Sequence, residues 1–159
     1  MREVKRVLGI ICTLLVVLVG TNAQELKVVK YEEVERLMST QTSELKVFNF
    51  WATWCGPCIK ELPYFESANN RPDVDVYLVS LDFPEDKDKV IRFMQKKNLQ
   101  SDVILLNEKD YDSYMGKVDE DWSGAIPATL FVQSNGKKHF FEKPFTKEEL
   151  DIQISYLAD

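Results

Sequence analysis

Two cysteines three residues apart carry the strongest chemical signal in the sequence. Cys55 and Cys58 enclose Gly56-Pro57. An apolar strand pattern leads into Cys55 and a helical pattern follows, so Cys55 is expected at a helix N-terminus, where free N–H groups and positive partial charge stabilise a thiolate. Residues three apart share a helix face, so Cys58 can reach the first sulfur. This spacing predicts thiol–disulfide exchange, in which Cys55 attacks and Cys58 resolves the mixed disulfide.

The two intervening residues suit that chemistry. Gly56 permits close approach of a substrate backbone, and Pro57 is favoured in the first helical turn. Both are therefore assigned to substrate binding.

Other functions of a C-x-x-C pair fit less well. Structural zinc needs four ligands, and outside the pair and the N-terminal Cys12 the remaining soft ligand is His139. Covalent haem attachment requires His after the second cysteine, where Ile59 stands. A purely structural disulfide over so short a loop removes little chain entropy. We therefore expect a redox pair, without metal or cofactor.

The N-terminus predicts a secretory signal peptide over residues 1–23. Basic residues at positions 2, 5 and 6 precede an apolar run over 7–20, and small residues follow up to Ala23. The run has 14 residues, fewer than the roughly 20 of a membrane-spanning helix, so an uncleaved anchor is the less favoured alternative. Cys12 would leave with this segment. We expect an exported domain over 24–159, located in the periplasm or elsewhere outside the cytoplasm.

The charge balance argues against one class of partner. Residues 24–159 carry 17 basic and 25 acidic side chains, a net charge of −8. No basic stripe follows any predicted element, so nucleic acid is not expected as a partner.

Hydrophobic periodicity predicts alternating strands and helices. Asn135-Gly136 lies between two apolar strand patterns and marks a hairpin. Thr146 and Glu149 form a capping box at the start of the last helix. Pro63 is expected to interrupt the helix after the cysteines. The predicted strands are 25–29, 46–51, 74–81, 103–106, 128–133 and 138–142, and the predicted helical segments are 31–38, 59–69, 86–98, 111–115 and 146–157.

This order indicates an α/β domain with a mixed sheet and helices on both faces. The residues around the cysteines also resemble a known family. The stretch 54–58 is identical to the thioredoxin active-site motif. Together with 50–54 and Glu61-Leu62-Pro63, it resembles the exported TlpA/ResA branch of thioredoxin-like proteins. The resemblance implies a thioredoxin-like fold, protein-disulfide oxidoreductase activity, and protein thiol and disulfide substrates. A reductase outside the cell also needs an electron donor, for which a membrane thiol is expected.

The resemblance also assigns residues on the substrate side. In the thioredoxin fold, the proline before the hairpin is cis and faces the cysteines. Carried over to Pro127, this implies that Ile126 presents backbone groups to a substrate strand. Trp54 is expected to line the same surface. For Trp122, a place on that surface and a packing role both remain open.

Asn49 departs from the thioredoxin pattern, which has an acidic residue at that position beneath the cysteines. In the TlpA/ResA branch, a glutamate three residues after the second cysteine resembles a substitute, and Glu61 fills that place. Glu61 lies one helical turn from Cys58, so proton transfer to the resolving thiol is plausible. A solvated helix glutamate is the alternative. Lys143-Pro144 is a second departure, since these folds often place glycine there.

The direction of electron flow is open to several interpretations. Gly-Pro between the cysteines resembles the reducing members of the family, which favours a reductase of exported proteins, with apocytochromes as one candidate substrate. The protein is expected to be a monomer. Alternatives are a thiol oxidase or isomerase of the same fold, and a non-catalytic chaperone or interaction module. Peroxide reduction fits less well. Enzymes with that chemistry resemble one another in a Thr-x-x-Cys motif, with Thr three residues before Cys, whereas Thr53 lies two residues before Cys55.

Overall fold

The computed structural model describes residues 25–158. The expected signal peptide over 1–23 lies outside this part of the chain. Between residues 25 and 158, no helix is long and apolar enough to cross a membrane.

A mixed sheet of six strands forms the centre of the molecule, in the order β1-β4-β3-β2-β5-β6. The first four strands of that order are mutually parallel, while β5 and β6 run antiparallel to their neighbours. The sequence-based prediction of a mixed sheet is therefore confirmed. The strands are β1 (Lys27–Val29), β2 (Leu45–Trp51), β3 (Val74–Ser80), β4 (Asp102–Leu106), β5 (Ala128–Val132) and β6 (Lys138–Phe141).

Five α-helices cover the two faces of the sheet. They are α1 (Tyr31–Ser39), α2 (Gly56–Ala68), α3 (Lys87–Lys97), α4 (Asp112–Val118) and α5 (Lys147–Leu157). Buried side chains of α2, α3 and α5 form one apolar cluster with the sheet, and those of α1 and α4 form the other. All seven residues of β2 are buried because β2 lies between these clusters. Helices on both faces are therefore also confirmed.

The topology brings three loops together at one edge of the sheet. β2 and β3 are parallel, with Trp51 opposite Ser80, so the loops after both strands leave at the same edge. β5 runs antiparallel to β2, with Ala128 opposite Phe50, so its start lies there too. The loop after β2 leads into Cys55 at the start of α2, and Pro127 lies in the loop before β5.

Two local features differ from the sequence-based prediction. α2 starts at Gly56 and continues through Pro63, so the expected interruption at Pro63 is wrong. Proline removes one N–H, but buried residues before and after it hold the helix against the sheet: Cys58, Glu61, Leu62, Phe65 and Ala68. A short 3-10 turn at Pro84–Asp86 was also not predicted. The capping box of Thr146 and Glu149 is confirmed.

Candidate active site

Cys55 and Cys58 form a disulfide at the start of α2, with 5.3 Å between their Cα atoms. Cys55 is the N-cap residue, and the backbone N–H of Cys58 donates to its Sγ over 3.3 Å. Cys55 is 5% exposed, whereas Cys58 is fully buried. The outer sulfur can therefore meet another molecule, and the N–H group aimed at it stabilises negative charge when the disulfide is opened.

The loop before β5 brings a backbone carbonyl to the outer sulfur. The Ile126–Pro127 peptide bond is cis, as predicted. The carbonyl oxygen of Ile126 lies 3.7 Å from Cys55 Sγ. A disulfide sulfur has no proton to donate, so this distance is a contact. It places main-chain polar groups beside the position where a second polypeptide would be attached.

Glu61 is buried on α2, one helical turn after Cys58. Its side chain is 1% exposed, which excludes the solvated glutamate that the sequence left open. Asn49 Nδ2 donates to Oε1 over 2.9 Å, and the backbone N–H of Phe145 donates to Oε2 over 2.7 Å. Burial raises the pKa of Glu61 to about 7, although both hydrogen bonds lower it. Glu61 can therefore gain or lose a proton near neutral pH.

Asn49 links this carboxyl group to the neighbouring strand. Its Nδ2 also donates to Thr129 Oγ1 over 3.2 Å. Its Oδ1 is buried and has no hydrogen-bond partner within residues 25–158. A buried acceptor of this kind is normally satisfied by a donor such as water. Because the Asn49 amide does not titrate, its hydrogen bond orients the Glu61 carboxyl group without competing for the carboxyl proton.

The surface around the disulfide is open and apolar. Trp54 is 61% exposed. A Cβ added at Gly56 would meet no atom within 4 Å, so the glycine leaves free space beside Cys55. Pro57 lies in the first turn of α2. The structure thus brings the sequence-predicted site residues together around the start of α2: Cys58, Glu61 and Pro127 are buried, and Trp54, Gly56 and Pro57 are exposed.

Asp82 is a neighbour of the site that sequence reasoning missed. It follows β3 and is 1% exposed. Its carboxylate accepts hydrogen bonds from the backbone N–H of Thr53 over 2.8 Å and from the Thr53 hydroxyl. Ser80 Oγ donates to it over 2.8 Å. An acidic residue directly after a buried strand was the available signal, because parallel strands end at a common edge.

Glu142 is a second missed neighbour and fastens the loop that carries Ile126. Its carboxylate accepts from the backbone N–H groups of Ser123 and Ala125 over 3.0 and 3.1 Å, and from the Ser123 hydroxyl. Trp122 donates its indole N–H to the Ala125 carbonyl over 2.9 Å. Trp122 is buried, and its ring centroid lies 4.7 Å from that of Phe50. Of the two roles that the sequence left open, these contacts favour packing.

Metal-ligating side chains are scattered in the described part of the chain. No three His, Cys, Asp or Glu residues among 25–158 form a group that could hold a metal ion. His139 is paired with Gln133 Oε1 at 3.1 Å, away from the disulfide.

Comparison with known proteins assigns this arrangement to a family. Residues 19–138 match the AhpC/TSA family. The chain belongs to that family. Among curated relatives of this AhpC/TSA protein, the thiol-disulfide oxidoreductase ResA of Oceanobacillus iheyensis is 30% identical over 149 residues, covering 88% of this chain and 73% of the relative. ResA of Geobacillus thermodenitrificans is 25% identical over 138 residues, covering 84% and 75%.

Solved structures support the same fold. A thioredoxin-family thiol:disulfide interchange protein from Chlorobium tepidum has a TM-score of 0.62 at 19% identity, covering 74% of this chain and 81% of that one. StoA from Bacillus subtilis has a TM-score of 0.54 at 24% identity, covering 72% and 84%. The thioredoxin-like fold and the enzyme class are confirmed: this AhpC/TSA protein is a thiol–disulfide oxidoreductase of the ResA type, with a Cys55–Cys58 pair.

Proposed function

We propose that this protein reduces disulfides of other proteins outside the cytoplasm. The observation that carries the proposal is the difference in exposure between the two cysteines. Cys55 keeps 5% of its surface exposed, accepts the N–H of Cys58 and lies beside the Ile126 carbonyl, whereas Cys58 is fully buried. An outer attacking thiolate and an inner resolving thiol are what reduction by exchange requires.

The proposed reaction has two exchange steps. The Cys55 thiolate attacks one sulfur of a substrate disulfide, whose other sulfur leaves as a thiolate, and a Cys55–substrate disulfide forms. Cys58 then loses its proton and attacks Cys55 Sγ, which releases the substrate sulfur as a second thiolate and restores the Cys55–Cys58 disulfide. Two electrons pass from the enzyme dithiol to the substrate disulfide.

Glu61 is proposed as the base for the second step. It lies one helical turn after Cys58, is buried, and has a pKa raised to about 7 by burial. A carboxylate of this basicity matches proton transfer at neutral pH, directly or through water. Substrate backbone would pair with Ile126 beside cis-Pro127, with Trp54, Gly56 and Pro57 on the same surface.

Substitution of each cysteine tests the exchange. Cys55→Ser is expected to abolish reduction of insulin disulfides by the dithiothreitol-driven turbidity assay. Cys58→Ser is expected to abolish turnover while accumulating a mixed disulfide, visible on a non-reducing gel. Full activity of Cys55→Ser would refute the proposed attacker.

The direction of electron flow is tested by the reduction potential of the pair. Gly-Pro between the cysteines resembles the reducing members of the superfamily. A reduction potential of about −270 mV would support reduction, whereas one of about −120 mV would mark an oxidant. Equilibration with glutathione and dithiothreitol buffers, read out by alkylation, gives this value. A thiol oxidase or isomerase is the second candidate function, and the oxidising result would favour it.

Export and the electron donor form the third part of the proposal. The sequence pattern over 1–23 supports a cleaved signal peptide. Two solved neighbours are described as secreted, one from Mycobacterium tuberculosis and one from Corynebacterium glutamicum. A reductase in that location needs a membrane thiol partner, and apocytochromes are a candidate substrate. The intact mass of the protein recovered after export tests cleavage after Ala23, and sedimentation tests the proposed monomer.

A further inference from the structure

Five large apolar side chains are exposed within residues 25–158: Val28, Trp54, Phe83, Ile152 and Tyr156. Two of them lie on the loops at the edge of the sheet where the disulfide is found. Trp54 directly precedes Cys55, and Phe83 follows β3 with 54% of its side chain exposed. Exposed aromatic side chains beside a reactive group typically mark a binding surface.

A buried polar contact holds the two loops together. Thr53 donates both its backbone N–H and its hydroxyl to the Asp82 carboxylate. Trp54 and Phe83 each follow one of these two bonded residues. Asp82 is almost completely buried and is also bonded by Ser80, so the joint between the loops is fixed. Trp54 and Phe83 are 29 positions apart in the sequence, yet each directly follows one partner of this contact, and the loop that carries Trp54 leads into Cys55.

We propose that Phe83 extends the substrate surface at Trp54 and selects an apolar side chain next to the reacting cysteine of a protein substrate. The inference rests on the proposed attack by Cys55. The occupant of this surface is the substrate chain, because that chain becomes covalently attached to Cys55, one residue from Trp54. A bound strand advances about 3.3 Å per residue, so the residues flanking its cysteine must pass over the neighbouring loops.

The surface is also continuous with the main-chain groups at Ile126. The Ile126 carbonyl, 3.7 Å from Cys55 Sγ, can orient the backbone of the attached segment. Backbone pairing fixes register, and side-chain contacts supply selectivity. Phe83 therefore acts on which substrates are attacked, whereas the exchange itself depends on the cysteines.

The test uses the Cys58→Ser chain with Cys55 reduced, so that the reaction stops after the first exchange. Two peptides carry one cysteine each and differ in its neighbour, Phe in one and Ser in the other. Each peptide sulfur is linked in advance to 5-thio-2-nitrobenzoate. Attack by the Cys55 thiolate on the peptide sulfur forms the enzyme–peptide disulfide and releases the coloured aromatic thiolate, whose appearance gives the second-order rate.

The Phe-containing peptide is expected to react about five- to tenfold faster than the Ser-containing one, the effect of partly burying one apolar side chain. Phe83→Ser is expected to bring the ratio to within about twofold, and Phe83→Leu to restore part of it. Ile152→Ser is the matched control, since Ile152 is 70% exposed on α5 and has no part in the proposed surface. It should leave the ratio unchanged.

Three results would overturn the inference in distinguishable ways. If Phe83→Ser keeps the preference of the parent chain, Phe83 does not contact the substrate, and the proposed reductase function stands. If Phe83→Ser instead dissociates a dimer in sedimentation with the preference intact, a second copy of this chain covers the surface. If neither peptide releases the thiolate, attack by Cys55 fails, and the proposed function falls with the inference.

Discussion

Two opposing effects set the pKa of the buried Glu61 carboxyl group. Burial penalises the charged form, whereas the hydrogen bonds from Asn49 and from the N–H of Phe145 favour it. Burial is the larger effect and raises the pKa to about 7. The native state therefore binds a proton that the unfolded state has already released at neutral pH, which couples folding to pH.

Glu61→Gln is expected to remove a pH dependence of stability. Because the folded pKa is above the unfolded value of 4.5, the stabilisation by protonated Glu61 is complete below about pH 4.5 and is lost as the pH rises through about 7. The loss is on the order of 3 kcal/mol. Urea unfolding of the oxidised protein at several pH values measures it as the difference between wild type and Glu61→Gln.

Glu32→Gln supplies the control for this measurement. Glu32 is exposed on α1, whose buried side chains belong to the opposite face of the sheet. It should follow the wild-type pH profile. Parallel profiles for wild type and Glu61→Gln would mean that Glu61 titrates with an ordinary pKa and would also weaken its proposed role as a base.

At the scale of single residues, the sequence predicted positions better than environments. Cys55 and Cys58 were found because their chemistry is carried by a local motif, and Pro127 was found through the family resemblance. The burial of Glu61 was not predictable, because one of its hydrogen bonds comes from Phe145, 84 residues further along the chain. Asp82 and Glu142 were missed for the same reason, since their partners are 29 and 17 to 19 residues away in the sequence.

At the scale of elements, the loop before β5 is held in place by the side chain of Glu142, the residue directly after β6. The Glu142 carboxylate collects two backbone N–H groups and one hydroxyl from the residues that precede Ile126. These hydrogen bonds, those of Ser123 most strongly, lower the pKa of Glu142 and keep it charged. A charged acceptor makes stronger hydrogen bonds than a neutral amide.

Glu142→Gln is therefore expected to loosen the substrate-facing carbonyl of Ile126. The amide keeps one acceptor oxygen but replaces the other by a donor, so it cannot satisfy the same N–H groups. We expect KM for insulin disulfides to rise about three- to tenfold with little change in kcat, the pattern of lost uniform binding. Steady-state kinetics measure it, with exposed Glu148→Gln on α5 as the control. A fall in kcat at constant KM would contradict this role.

Lys46 stabilises the joint between α1 and β2. Its ammonium group is buried and donates to the carbonyls of Leu37, Met38 and Thr40 at the end of α1, the first two over 2.7 and 2.8 Å. These carbonyls have no partner within the helix. Lys46→Met is expected to lower the free energy of unfolding by about 2 kcal/mol, because all three hydrogen bonds are lost and the Met38 carbonyl, whose bond is buried, is left unpaired. Urea unfolding tests this, and exposed Lys60→Met should change stability by less than about 0.5 kcal/mol.

Most element types were predictable because their signals are local. Asn135-Gly136, the capping box at Thr146 and the apolar periodicity identify the hairpin and the helices. The continuity of α2 through Pro63 depends on packing against the sheet, which no local pattern contains. The turn at Pro84–Asp86 likewise belongs to a loop whose path is set by the contact between Thr53 and Asp82.

At the scale of the whole molecule, net charge influences the rate at which charged substrates associate with the protein. Residues 24–159 carry a net charge of −8. Exposed charges act over the Debye length, about 30 Å at 0.01 M salt and about 3 Å at 1 M. An acidic protein therefore attracts cationic and repels anionic polypeptides at low salt, which changes association rates more than the bound state.

Ionic strength should consequently separate this long-range attraction from the local contact at Phe83. In the peptide assay, a lysine-rich peptide is expected to react several-fold more slowly as salt rises from about 0.01 to 0.5 M, and a glutamate-rich peptide to react faster. A neutral peptide is the control and should show little change. Because apolar docking is not screened, the preference for a Phe neighbour should survive at high salt. Equal salt dependence for both charged peptides would show that net charge plays no part in recognition, and that the surface beside Cys55 alone selects the substrate.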